Sequence, residues 1–197
     1  MSNIRNTLEV IRKLADQHLQ NLDRRGDEWV VLTNIVDHDG SVNESTREKV
    51  VMTVYNISRE NIVSTYPPAR AGNAQFAIVA APLYINIHLM FMANFSDKAY
   101  PGGLEAISRV IAFFQQTPWL TRSNAPDLDP DIDKVTLELE SPGAVEVNYV
   151  MGMMGTRYLP SVFYKLRMLP FASSALLART YPVLGGDPSE TPRSEAP

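Results

Sequence analysis

Residues 83–94 form the part of the sequence that most constrains the fold. Every second position from Leu83 to Ala93 is apolar, and successive side chains of a strand point to opposite faces, so this run places an unbroken apolar face on a strand. The other face also carries bulky side chains, among them His88 and Met90. A strand that is bulky on both faces needs cover on both sides. The sequence therefore predicts a central strand inside a layered fold.

Helices and further strands are predicted before and after this central strand. Apolar residues at helical spacing favour three helices, and alternating or β-branched runs favour four other strands. The predicted helices cover residues 4–22, 100–116 and 144–154, and the predicted strands cover residues 29–36, 49–58, 83–94, 135–140 and 162–168. This order predicts an α/β (α+β) fold, a single domain with a mixed β-sheet flanked by about three helices.

Local signals add detail to these elements. The strands at 29–36 and 49–58 are predicted to pair as a hairpin with a long loop. Residues 61–73 contain two prolines and a glycine and are predicted to form a loop. Ser141 followed by Pro142 predicts the N-cap of the third helix. The stripe of the second helix expected to face the sheet contains Leu104, Ile107, Val110, Ile111, Phe113 and Phe114.

The C-terminal part of the chain has a different composition. Residues 185–197 are rich in glycine, proline, serine and glutamate, which favours a flexible arm. A short helix is predicted over residues 173–179. The expected organisation is a folded domain over residues 1–170 and a C-terminal extension over residues 171–197.

The composition is that of an ordinary globular protein and argues against several classes of partner. A chain of 197 residues with 45% hydrophobic residues can bury one core. Its net charge of −4 is unlike that of most nucleic-acid binders, so no nucleic-acid partner is expected. The absence of cysteine excludes disulfides and thiolate metal sites. The most apolar run, residues 76–95, is interrupted by proline, asparagine and histidine, so no membrane contact is expected.

No motif in the sequence is specific for catalysis or metal binding. The three histidines, His18, His38 and His88, lie apart and lack the paired spacing of a metal site. His88 follows Asn86 on one strand face, and it is either a general base or a hydrogen-bonded strand histidine. The acidic loop, residues 127–133, spaces its acids as a calcium loop does but lacks the central glycine and the terminal glutamate. No catalytic, cofactor or metal residue is predicted.

Residues 155–168 combine a helix stop, a connector and a strand. Gly155 is typical of the residue that follows a helix. In the strand, Phe163, Lys165 and Arg167 share one face. An aromatic side chain beside two cations is typical of a contact surface, so we expect these three side chains to be exposed and to meet another protein.

Three segments, residues 82–91, 100–114 and 147–168, form a recognisable pattern. Its most specific part is Tyr158-Leu159-Pro160-Ser161 followed by Tyr164, Lys165 and Arg167. The pattern resembles the tail terminator, or cap, proteins of extracellular contractile injection systems, which are antifeeding-prophage-like particles related to phage contractile tails. The family's helix end Asn-x-Leu-Trp-Gly-x-Leu-Gly is found here as residues 148–155, with Met151 in place of the tryptophan.

This resemblance implies a structural protein rather than an enzyme, with no cofactor. Such caps resemble phage tail terminators in fold. They form a sixfold ring on the last layer of tube and sheath and stop the growth of both. The implied partners are other copies of the chain in a homohexameric ring, the sheath protein and the inner tube protein, with a second cap component left open. The implied location is the bacterial cytoplasm during assembly and then the particle, whether or not it is released.

A closed ring requires two different patches on each subunit. The expected patches are the cationic strand face and the acidic loop, with opposite charge setting the register between neighbours. The side chains expected at these interfaces are Arg157, Tyr158, Phe163, Lys165, Arg167, Asp127, Asp129 and Asp131.

Two other functions stay open from the sequence. The first, in the same structural class, is the terminator of a true contractile phage tail. The second is a small-molecule hydrolase that uses His88 as its base.

Overall fold

The computed structural model describes residues 4–23, 26–60, 69–72, 75–79, 83–171 and 176–180. The chain divides into two compact units. The larger contains a six-stranded sheet with three helices, and the smaller contains a three-stranded sheet. The elements are α1 Ile4–Asp23, β1 Val30–Leu32, a 3₁₀ turn Glu44–Thr46, β2 Lys49–Arg59, β3 Ala69–Gly72, β4 Gln75–Val79, β5 Leu83–Asn94, α2 Tyr100–Gln116, β6 Trp119–Thr121, β7 Lys134–Glu140, α3 Ala144–Met153, β8 Ser161–Phe171 and β9 Leu176–Thr180.

The six-stranded sheet has the order β1-β2-β5-β8-β7-β6. Strand β5 lies between β2 and β8 with the bounds predicted from its alternation. Strands β1 and β2 run parallel and all the other pairs run antiparallel, so the sheet is mixed, as predicted. In the described part of the chain, no helix is long and apolar enough to cross a membrane.

The predicted hairpin between the first two strands is wrong. Val30 pairs with Val50 in a parallel register. The chain reverses earlier than predicted, in a tight turn where Val36 bridges Val42 and Gly40 has a positive φ of 84°. Since the chain turns a second time before β2, that strand begins at the same end of the sheet as β1 and runs in the same direction.

The central strand is buried on both faces, as its composition predicted. Helices α1 and α2 cover one face, where Ile87, Leu89 and Phe91 belong to the larger hydrophobic cluster. Helix α3 covers part of the other face, where Met90 and Met92 belong to a second cluster. The unit therefore has three layers, with the sheet in the middle.

Helix α2 turns part of its predicted stripe toward the sheet. Ile107, Val110 and Phe114 are buried as predicted, whereas Leu104 and Ile111 are 43% and 37% exposed. Gly103 lies directly on the sheet, since a Cβ there would be 3.1 Å from the Phe95 ring and 3.2 Å from Ala93. The close approach of the helix at this glycine determines its rotation. The buried residues of the helix are Gly103, Ala106, Ile107, Val110 and Phe114.

Two local predictions also need correction, and one further strand was not predicted. The N-cap of α3 is Gly143, whose N–H donates to the Glu146 carboxylate, and Ser141 lies two residues before it. Residues 69–72 form β3 inside the predicted loop, and residues 119–121 form the unpredicted strand β6. Short strands such as these depend on a pairing partner distant in sequence, so their own residues carry a weak signal.

The predicted helix at 173–179 is also wrong, because Leu176–Thr180 is strand β9, which pairs with β4. Strands β3 and β4 therefore join a strand from beyond residue 170 in the smaller unit. The boundary at residue 170 stays a prediction. The flexible arm predicted for residues 185–197 lies outside the described residues.

Candidate protein–protein interface

Helix α3 is apolar on both its inner and its outer side. Val150 and Met151 face the sheet and are buried in the second hydrophobic cluster. On the outer side, Val145, Tyr149 and Met153 follow each other at intervals of four residues and are 67%, 68% and 66% exposed. A helix that is apolar all round is typical of a buried helix. Its outer side is therefore a candidate contact surface.

The connector after α3 starts at the predicted helix stop. Gly155 has a φ of 69°, and the N–H of Thr156 reaches back to the Met151 carbonyl at 3.1 Å. This left-handed turn suits glycine, because any other residue there costs on the order of 1 kcal/mol in backbone strain. The turn brings the next residues, Arg157 and Tyr158, back alongside the helix, and Tyr158 is 69% exposed.

A groove of about 900 Å³, here called the α3 groove, lies between α3 and this connector. Tyr149 and Tyr158 line it together with backbone and aliphatic groups. Gly152 is open to the outside, because no described atom beyond its chain neighbours and its own helix backbone lies within 4 Å of the position where its Cβ would be. Arg157 also lines the groove and has no ion-pair partner among the described residues. The groove is therefore apolar with one cationic group.

The three residues predicted as a cationic contact surface in β8 have different environments. Phe163 is buried beneath α3, with its ring 5.6 Å from that of Tyr55, so the prediction of an exposed aromatic is wrong. Arg167 donates to the Glu60 and Glu138 carboxylates, at 2.8 and 2.9 Å. The hydrogen bonds that the Arg167 guanidinium donates to Glu138 and Glu60 raise its pKa.

Lys165 is the remaining cation of this surface. It is half-buried, and no ion-pair partner is found for it in the part of the chain that the structure describes. Its neighbour across the strands, Glu138, is held by Arg167. Of the two cations on β8, Lys165 is thus the one whose charge is not paired among the described residues.

The acidic loop is anchored by apolar side chains and carries its carboxylates on the outside. Leu128 and Ile132 are buried in the larger hydrophobic cluster. Asp129 accepts a hydrogen bond from the backbone N–H of Asp131 at 2.9 Å, which closes a local turn. Asp127 lies 3.8 Å from the Lys13 ammonium in an exposed pair. Among the described residues, no group of three or more acidic, histidine or cysteine side chains could hold a metal ion.

His88 lies in a chain of polar contacts that crosses the sheet. Its Nδ1 donates to the Glu140 carboxylate at 2.9 Å, and its Nε2 lies 3.0 Å from the Ser58 hydroxyl. Tyr55 also donates to Glu140, at 3.0 Å. Burial and this carboxylate raise the pKa of the Tyr55 hydroxyl. Sequence reasoning singled out His88 alone, because its three partners lie on strand β2 and at the end of β7, distant in sequence.

The order serine, histidine, carboxylate is that of a hydrolytic triad, but the setting differs. Ser58 lies within the extended strand β2 rather than on the sharp turn that exposes a nucleophile. Glu140 is shared between His88 and Tyr55, which ties β7 to the middle of the sheet. This arrangement is that of a cross-strand polar network that links the strands beside α3.

The family model for the Pvc16 N-terminal domain matches residues 6–184. The chain belongs to the Pvc16 N-terminal domain family. No curated protein matches the sequence. The match confirms the resemblance to cap proteins that the sequence motifs indicated.

Two solved structures have the same fold as this family member. One is the sheath/tube terminator of the PVC extracellular contractile injection system in its extended state, with a TM-score of 0.63 and 11% identity over 100% of this chain. The other is the tube terminating cap of the anti-feeding prophage, with a TM-score of 0.62 and 13% identity over 94% of this chain. The chain spans 65% and 60% of the lengths of these proteins. The predicted α+β terminator-like fold is confirmed.

Proposed function

We propose that this protein is the cap of a contractile injection particle. It forms a ring on the last layer of the tube and sheath and ends the polymerisation of both. The family match and the fold shared with two terminating caps carry the proposal. The exposed apolar side of α3 supports it, because such a surface is expected on a subunit that is covered in an assembly.

The proposed ring is a homohexamer of this chain with heterologous contacts. Its other partners are the sheath protein and the inner tube protein, with a second cap component as an option. Assembly takes place in the bacterial cytoplasm. One of the similar structures described above is from an extracellular contractile injection system and the other is from the anti-feeding prophage, which favours an injection particle over a true phage tail.

The residues proposed to contact neighbouring subunits differ in how directly they act. Arg157, Tyr158 and Lys165 offer side chains that are not engaged in ion pairs within the described chain, and the acidic loop offers Asp127, Asp129 and Asp131. Phe163 and Arg167 contribute to the contact indirectly. Both are held within the sheet layer, and they fix the position of the strand that carries Lys165.

Particles from a strain that lacks this chain should have tubes and sheaths of unregulated length. The reason is that polymerisation of a helical assembly has no intrinsic stop without a terminating ring. Electron microscopy of purified particles measures the length distribution, and expression of the wild-type chain from a plasmid should restore it. Particles of normal length with normal ends in the deletion strain would contradict the proposed function.

The hydrolase alternative predicts turnover that depends on His88. The contacts of His88 with Ser58 and Glu140 are the observation in its favour. We propose that the protein is not an enzyme, so the purified chain and its His88→Ala variant should hydrolyse an activated ester such as p-nitrophenyl acetate at the same low rate. A loss of more than about tenfold in the variant, a difference of about 1.4 kcal/mol in the barrier, would support the hydrolase instead.

A further inference from the structure

We propose that the α3 groove of one subunit receives the acidic loop of a second copy of the chain. The inference rests on the proposed ring and names the two surfaces that meet in it. The groove is the receptor, and residues 127–133 with the proline that precedes them are the ligand.

The two surfaces match in shape and polarity. Tyr149 and Tyr158 line the groove. Gly152 also lines it, and because it has no side chain the groove stays open to the outside. The loop carries two exposed prolines, Pro126 and Pro130. Prolines dock well against aromatic-lined grooves, because their rings are flat and their backbone is already restricted. The loop thus offers apolar rings that fit the apolar lining of the groove.

Their charges are complementary. Arg157 lines the groove without an ion-pair partner in the described chain. The loop carries aspartates at 127, 129, 131 and 133, and Asp127 forms an exposed ion pair with Lys13. An arginine of one copy facing carboxylates of the next would favour one register over others.

Within one subunit these surfaces cannot meet. Leu128 and Ile132 anchor the loop in the hydrophobic cluster beneath α1 and α2, whereas α3 belongs to the cluster on the opposite face of the sheet. Contact between them must therefore join two copies head to tail, and such a heterologous contact closes into a ring when the rotation allows.

Both surfaces are already ordered before they meet. Buried side chains and the Asp129 turn hold the loop. The left-handed turn at Gly155 holds the connector beside α3. Association then loses little conformational entropy, which favours a stable contact from a small area.

The first test fills the groove without disturbing the fold. Gly152→Gln places a side chain at a position that the described residues leave open, and it replaces a helical glycine by a better helix former. We expect at least a tenfold weaker self-association of the full chain in sedimentation velocity, with no loss in Tm. Gly102→Gln in α2 is the matched control, because its Cβ position is equally open and lies outside the groove. Equal association of both variants and the wild type would overturn the proposal.

The second test exchanges charges and then traps the contact. Arg157→Glu, and separately Asp127→Lys with Asp133→Lys, should each weaken association, and the combined variant should regain it. The chain contains no cysteine, so a copy with Tyr158→Cys and a copy with Pro130→Cys can be mixed and oxidised. We expect a disulfide between the two different copies. Absence of that product, or cross-links only between identical variants, would overturn the assignment of surfaces.

The outcomes separate this inference from the proposed function. If the deletion strain has unregulated lengths but Gly152→Gln still forms the ring, the cap function holds and the groove assignment fails. If deletion leaves the lengths normal, the cap function fails whether or not the groove mediates self-association.

Discussion

Arg167→Glu is expected to lower the free energy of unfolding by about 3 kcal/mol, because it removes the partner of the buried Glu60 carboxylate. The guanidinium contacts Glu60, whose side chain is only 4% exposed, and Glu138. A carboxylate at position 167 would place three negative groups together in the sheet layer. Urea unfolding followed by circular dichroism measures the change.

Lys165→Glu is the matched control, two residues away on the same strand face. Lys165 has no ion-pair partner in the described part of the chain, so its reversal should cost less than about 1 kcal/mol, mainly through the new glutamate opposite Glu138. If Lys165 and Arg167 were both exposed, as the sequence analysis predicted, charge reversal at either position would leave the folded monomer intact. The structure restricts that prediction to Lys165. Equal stability of the two variants would show that the Arg167 network contributes nothing to the fold.

Phe91→Ala is expected to lower the free energy of unfolding by about 3–5 kcal/mol, because it removes a large side chain and leaves a cavity in the core. Phe91 lies in β5 and is fully buried. Its ring lies 5.5 Å from that of Phe114 and 6.0 Å from that of Tyr164, so three elements lose contact at once. Thermal and urea unfolding both measure this loss.

Tyr149→Ala removes a ring of similar size from the outer side of α3 and is the control for Phe91. Its side chain is 68% exposed, so the free energy of unfolding should change by less than about 0.5 kcal/mol. The same variant should weaken self-association, since Tyr149 lines the α3 groove. A large loss of stability in Tyr149→Ala, or a small one in Phe91→Ala, would mean that the two faces of the fold are assigned wrongly.

Much of the sheet was predictable because strong local patterns agree with the tertiary structure. Strand β5 has the predicted bounds, since alternation over 12 residues allows no other register for its faces. Gly155 marks the end of α3 because the backbone there needs a positive φ. In both cases the residues of the element itself carry the signal, namely the alternation in β5 and the glycine that allows a positive φ.

The incorrect predictions concern elements whose structure depends on residues that are distant in sequence. The rotation of α2 depends on Gly103 fitting against Phe95 and Ala93, which the stripe of large residues does not reveal. Strands β3 and β9 exist because each pairs with β4. The parallel pairing of β1 with β2 depends on an early turn at Gly40.

The candidate interface shows the same contrast between local and long-range causes. The layered α+β fold, the helix stop at Gly155 and the resemblance to caps follow from the sequence alone, because periodicity and short motifs are local properties. Which side chains face outward depends on the tertiary structure. Phe163 is buried because α3 covers that half of the sheet, and Arg167 is engaged because Glu60 and Glu138 converge on it from other strands. Burial and ion pairing depend on what packs against a residue, and one strand's own sequence does not contain that information.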